Sequence, residues 1–206
     1  MKTKGPVFVI VLFICAVLLA FINNHPYEEL AINAGIPKPE LKMKDVGGTS
    51  VSLSDVKKEN GLLVIFSCNT CPYVKLSESR IREYSDLCLQ NNIGCILVNS
   101  NEAQRDDEDS FAEMAQYHKS QSLKCSYVVD AKSELADAFG AGRTPQCFLF
   151  SRAGKLVYKG AIDDNVKDPA AVKQHFLRDA INSVTRNETP KVQETKSIGC
   201  TIKRSA

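Results

Sequence analysis

The chain has 206 residues, room for one domain of roughly 150–170 residues plus terminal extensions. Its 44% hydrophobic and 24% charged residues are ordinary for a soluble globular protein. A net charge of +2 gives no basis for a nucleic-acid partner, and eight cysteines in a chain this long do not describe a small disulfide-stapled scaffold.

Residues 1–24 read as a membrane anchor or signal segment. Lys2 and Lys4 precede an unbroken apolar run over residues 7–22. Sixteen helical residues span about 24 Å, against a hydrocarbon core of about 30 Å. Only Leu18-Leu19-Ala20 approaches a small-residue cleavage pattern, so an uncleaved anchor is preferred to a cleaved signal. Positive charge before the run predicts that the N-terminus stays in the cytoplasm and the rest lies on the extracytoplasmic (periplasmic) side. Residues 25–39, broken by Pro26, Gly35, Pro37 and Pro39, read as a tether, 40–186 as the folded domain and 187–206 as a polar, extended tail.

Within the domain, residues 41–46 alternate apolar and polar and turn at Gly47-Gly48 into 49–51, a hairpin signal. A short helix over 52–58 would be capped by Ser52 or Ser54. Residues 62–66 form a continuous apolar run, suited to a strand buried on both faces. A long helix to about Gln90 would then carry Val74, Ile81, Tyr84, Leu87 and Cys88 near one stripe. Strand 93–99, a solvated acidic loop over 100–109, a helix capped by Ser110 and strand 126–130 follow. A helix over 133–139 ends at Gly140-Ala141-Gly142, residues 146–150 and 155–160 form a hairpin, and Asp168-Pro169 opens the last helix. The order predicts an α/β fold, a mixed central sheet covered by helices, with an N-terminal hairpin extension.

Cys68-Asn69-Thr70-Cys71 lies where the apolar strand meets the helix. That placement predicts Cys68 at the helix N-terminus, where free amide groups favour its thiolate, and Cys71 one turn further in as the resolving thiol. A structural disulfide and half of a zinc site are the other readings of a CxxC. Zinc needs about four ligands, and neither a second CxxC nor an HxxxH is present, so no metal or cofactor is expected. Cys88, Cys95, Cys125 and Cys147 fall where a small buried side chain is the default.

Several separated motifs carry a resemblance. Phe66-Ser-Cys-Asn-Thr-Cys-Pro-Tyr-Val-Lys75 resembles a peroxiredoxin-like, redoxin subfamily of the thioredoxin-like superfamily with a Cys-Asn-x-Cys-Pro-Tyr-Val-Lys signature. Gly140-Ala-Gly-Arg-Thr-Pro145, Leu156-Val-Tyr-Lys-Gly160 and Ser197-Ile-Gly-Cys-Thr-Ile-Lys203 match it in order, over roughly residues 33–203. The resemblance implies a thioredoxin-like fold, thiol redox chemistry at Cys68 and Cys71, a cis-proline at Pro145 that orients substrate with Thr144, and Cys200 as an accessory thiol, either resolving or tail-fastening. The implied partners are protein or small-molecule thiols and disulfides, a redox partner that reduces or reoxidises Cys68–Cys71, and the membrane through the N-terminal segment.

Three departures matter. The chain has no Trp before its CxxC. The peroxidatic Pro-x-x-x-Thr/Ser-x-x-Cys is absent: counted back from Cys71 its places hold Val64 and Cys68, and from Cys68 they hold Gly61 and Ile65. Leu62 and Gln146 stand where thioredoxin-like relatives have carboxylates, leaving no obvious proton acceptor for Cys71. An extracytoplasmic thiol–disulfide oxidoreductase is the expected function. A thiol peroxidase is the alternative, and a Sco-like copper-handling protein is a further one, disfavoured by the two-residue spacing.

Overall fold

The computed structural model describes residues 27–205. The anchor or signal segment, Cys15 and the start of the tether lie outside the described residues. Among those described, no helix is long and apolar enough to cross a membrane.

Strands β1 (Met43–Asp45) and β2 (Ser50–Val51) form the expected hairpin, and α1 (Leu53–Val56) follows, closed by a capping box between Ser52 and Asp55. Then come β3 (Gly61–Phe66), α2 (Pro72–Lys75), α3 (Glu78–Gln90), β4 (Ile93–Asn99), α4 (Phe111–Ser120), β5 (Ser126–Val129) and α5 (Glu134–Phe139). The chain ends with β6 (Arg143–Thr144), β7 (Gln146–Ser151), β8 (Leu156–Gly160), α6 (Phe176–Thr185) and β9 (Cys200–Thr201). Strands order as β2-β1-β5-β4 and β3-β7-β8, with β4 parallel to β5 and β3, β7 and β8 antiparallel in turn. The two groups adjoin at β3 and β4, where the Ser67 N–H donates to the Val98 carbonyl at 2.9 Å. The sheet is therefore mixed, as expected.

The apolar run of β3 is wholly buried because its two faces serve two cores. With side chains alternating along a strand, Leu63 and Ile65 pack with Ile81, Tyr84, Leu177 and Ile181 from α3 and α6. Leu62, Val64 and Phe66 pack on the other face with Leu135 and Phe139 from α5. Phe139 sits edge-to-face against Phe66, Phe148 and Phe150 with centroids 5.1–5.8 Å apart.

Three expectations are corrected. The helix after the CxxC is two helices, parted at Leu76 and Ser77. Asp168-Pro169 opens only a 3-10 turn, and the last helix begins at Phe176. The expected tether is docked from Leu30 onward: Leu30 N–H donates to Phe139 O at 3.0 Å, Asn33 N–H to Leu156 O at 2.9 Å, and Gly35 bridges Lys155. Leu30, Ile32 and Ile36 pack on the Phe139 core. Gly140 permits this approach. It ends α5 at φ 61°, and a Cβ there would stand 2.1 Å from the Glu28 carbonyl.

Candidate active site

Antiparallel pairing of β3 with β7 sets Phe66, two residues before Cys68, opposite Gln146, one residue after Pro145. The CxxC and the Thr-Pro loop, 73 residues apart in sequence between Cys71 and Thr144, thereby meet. Cys68 Sγ lies 3.4 Å from the Thr144 hydroxyl, and Cys71 Sγ lies 3.1 Å from the Thr144 carbonyl oxygen. The Thr144–Pro145 bond is cis. Both thiols are nearly closed to solvent, at 1% and 3% exposure.

The polarity of the pair differs from the sequence expectation. Pro72 lacks an N–H and fits the first helical position, so the helix begins there and Cys71, not Cys68, is its N-cap. Interaction with the Cys68 thiol, then with the Cys200 thiol and amide and the Val74 N–H of the first turn, pulls the Cys71 thiol down to about 4 against the effect of burial. In its thiol form Cys71 donates to Thr144 O. In its thiolate form that carbonyl repels it, so this contact works against the lowering. The Cys68 thiol, beside Cys71 and buried, is pushed up.

A buried carboxylate that sequence reasoning placed in a solvated loop supports the motif. Asp109 is fully buried, and its carboxylate accepts from the Asn69 N–H at 2.8 Å, Asn99 Nδ2 at 2.7 Å and Asn101 Nδ2 at 2.8 Å. Asn69 is held at its side chain as well, donating to Glu108 O at 2.9 Å and accepting from Tyr127 Oη at 2.9 Å. The run of four acids hid this residue, and the only signal available was its position just before the Ser110 cap.

Gln146 explains one departure. Its carbonyl accepts from the Gly142 and Arg143 N–H groups at 2.9 and 3.1 Å, and its amide donates to Glu29. A carboxylate there would lose the donor. Leu62 is simply core, packed with Phe66.

Cys200 joins the other two site cysteines. Strand β9 pairs with β6 in the register Thr144↔Cys200, placing the tail over the CxxC. Cys88, Cys95, Cys125 and Cys147 are buried and lie in the core beside α3 and α6. Beyond the sulfurs, Arg80 buries its guanidinium against Asp163 at 2.6 Å and donates to the carbonyls of Leu76, Asn165 and Val166. It closes the break between α2 and α3 against the loop at Asp163. His118 and His175 pack against Cys125 O and Tyr84 Oη. Among the described residues, no group of His, Cys, Asp and Glu is arranged to hold a metal ion.

A family model described as Redoxin matches residues 33–174. No curated protein matches the chain. Among solved structures, a hypothetical protein from Sinorhizobium meliloti is similar at 28% identity and TM-score 0.78, covering 87% of this chain and 97% of its own. An uncharacterized conserved protein from Geobacillus kaustophilus is similar at 27% identity and TM-score 0.79, covering 85% and 93%. A thioredoxin-like protein solved in its oxidized form shares the fold at 20% identity and TM-score 0.59, covering 75% and 97%. The mixed sheet with flanking helices is thus a thioredoxin-like fold.

Proposed function

The chain belongs to the redoxin family and is an oxidoreductase, and on that premise we propose that it exchanges disulfides with protein or small-molecule thiols outside the cytoplasm through the pair Cys68–Cys71. The observation that carries this reading is the meeting of both sulfurs on one residue, Thr144. A pair so arranged supports a reversible disulfide: one sulfur ionises readily and leaves readily, and its neighbour is positioned to close the bond. Asp109 holds the intervening Asn69, and Thr144 with Pro145 borders the sulfurs as the substrate-orienting loop.

The compartment rests on Lys2 and Lys4 before the apolar run 7–22, which favours an anchored, extracytoplasmic domain. Outside the reducing cytosol an unassisted CxxC drifts to the disulfide, so sustained turnover requires a redox partner. Redox titration of the full chain tests the chemistry: a two-electron transition lost in Cys71→Ser supports it, and a transition surviving that variant overturns it. Protease accessibility in intact cells tests the compartment, which a protected, cytosolic full-length product would overturn.

A further inference from the structure

Three sulfurs lie in series at this site, and their exposure is graded. Cys68 and Cys71 are buried, whereas Cys200 alone among the described cysteines is only partly covered. Strand β9 sets Cys200 opposite Thr144, the residue whose carbonyl meets the Cys71 sulfur at 3.1 Å, and Cys200 packs against the core cluster that holds Cys71. The tail is built to come this close. A Cβ at Gly199 would stand 2.2 Å from the Thr144 carbonyl oxygen, so only glycine admits the approach. Either side of Cys200 is tied down: Arg143 Nη1 donates to Gly199 O at 3.2 Å, Ile202 is buried, and the Lys203 N–H donates to Asn101 Oδ1 at 2.9 Å.

We propose that Cys200 is the thiol through which external partners exchange with the buried Cys68–Cys71 pair. The inference rests on the redox reading of that pair and adds the route by which electrons reach it.

From the oxidised pair, the Cys200 sulfur attacks the Cys71 sulfur. The Cys68–Cys71 bond breaks as the Cys71–Cys200 bond forms, and the proton given up by Cys200 ends on Cys68. A partner thiolate then attacks the partly exposed Cys200 sulfur, forming a mixed disulfide and expelling Cys71 as a thiolate at the helix N-terminus. Cys200 is the partly exposed sulfur of this disulfide and Cys71 the buried one, which favours attack at Cys200. A second partner thiolate attacks the partner sulfur, giving the partner disulfide and a Cys200 thiolate. Two partner thiolates lose two electrons, and Cys68 and Cys71 finish as thiol and thiolate. Every step reverses, so the same route serves a partner disulfide being reduced.

The Cys68→Ser full chain, treated with oxidised glutathione and digested with trypsin without reduction, should yield residues 59–75 disulfide-linked to residues 197–203. Glutathione on Cys71 beside an unlinked Cys200 would overturn the proposal. In otherwise native protein, Cys200→Ser should still form the Cys68–Cys71 disulfide, with its reduction by glutathione slowed at least tenfold. An unchanged rate would overturn the role of Cys200 alone. Failure of the native chain to form the Cys68–Cys71 disulfide would overturn the function it rests on.

Discussion

The main-chain N–H of Asn69, inside the redox motif, donates to the fully buried carboxylate of Asp109 at 2.8 Å. Forty residues of sequence separate the two, and the contact makes an acid the brace of the CxxC turn. Asp109→Asn would present one oxygen and one amide to three donors. It should cost about 1–3 kcal/mol, the range for a buried group left unsatisfied. Because the Asp109 charge also pushes the Cys68 thiol up, the variant should ease Cys68 ionisation. Urea unfolding checks the first outcome and alkylation of Cys68 against pH the second.

Cys71 predicts a pH-dependent stability in the reduced protein. Its thiol falls from an ordinary value of 9.0 to about 4 in the fold. A depressed pKa stabilises the fold fully above the unfolded value, and that stabilisation is lost as pH falls through the folded one. The stability difference between native chain and Cys71→Ser should therefore shrink between pH 9 and pH 4 and level off below. Cys68, pushed up instead, stays protonated in both states below its ordinary value of 9.0 and does not oppose this trend there. Denaturation under a phosphine reductant, with thiolate absorbance followed in parallel, checks the window.

Arg80→Met should destabilise the protein by about 3–5 kcal/mol, because it leaves Asp163 as an uncompensated buried charge. The same substitution frees the carbonyls of Leu76, Asn165 and Val166. The double variant Arg80→Met with Asp163→Leu should recover part of the loss, and denaturant midpoints of the set measure it.

Peroxide turnover should fall far below thiol exchange on the same sample. The Thr144 hydroxyl meets Cys68, yet the Pro and Thr/Ser places of a peroxidatic motif are filled by other residues. A coupled hydroperoxide assay beside a glutathione-exchange assay compares the two rates directly.

The strand, the CxxC and the Thr-Pro loop were legible because each is local: a continuous apolar run over 62–66, a two-residue spacing, a proline before an apolar run. The polarity of the cysteines was not, since it turns on Pro72 taking the first helical position and making Cys71 the cap. Asp109 was illegible for another reason. Among four successive acids only a place just before the Ser110 cap sets apart the one that Asn99 and Asn101 will enclose. The docking of residues 30–36 likewise depends on a distant space left open at Gly140.

The ladder joining the tail to the site is only two residues long, Arg143 to Thr201 and Thr144 to Cys200. So short a pairing is marginal by itself and leans on its flanking anchors at Ile202 and Lys203. Direct contact between a large partner and Cys71 then depends on an opening equilibrium, and every 1.4 kcal/mol or so of anchoring cuts the open fraction about tenfold. Such a latch works as a kinetic filter. Strengthening it at Ile202 or Lys203 would discriminate against partners that need the sulfurs uncovered, with no change to the chemistry of the sulfurs themselves.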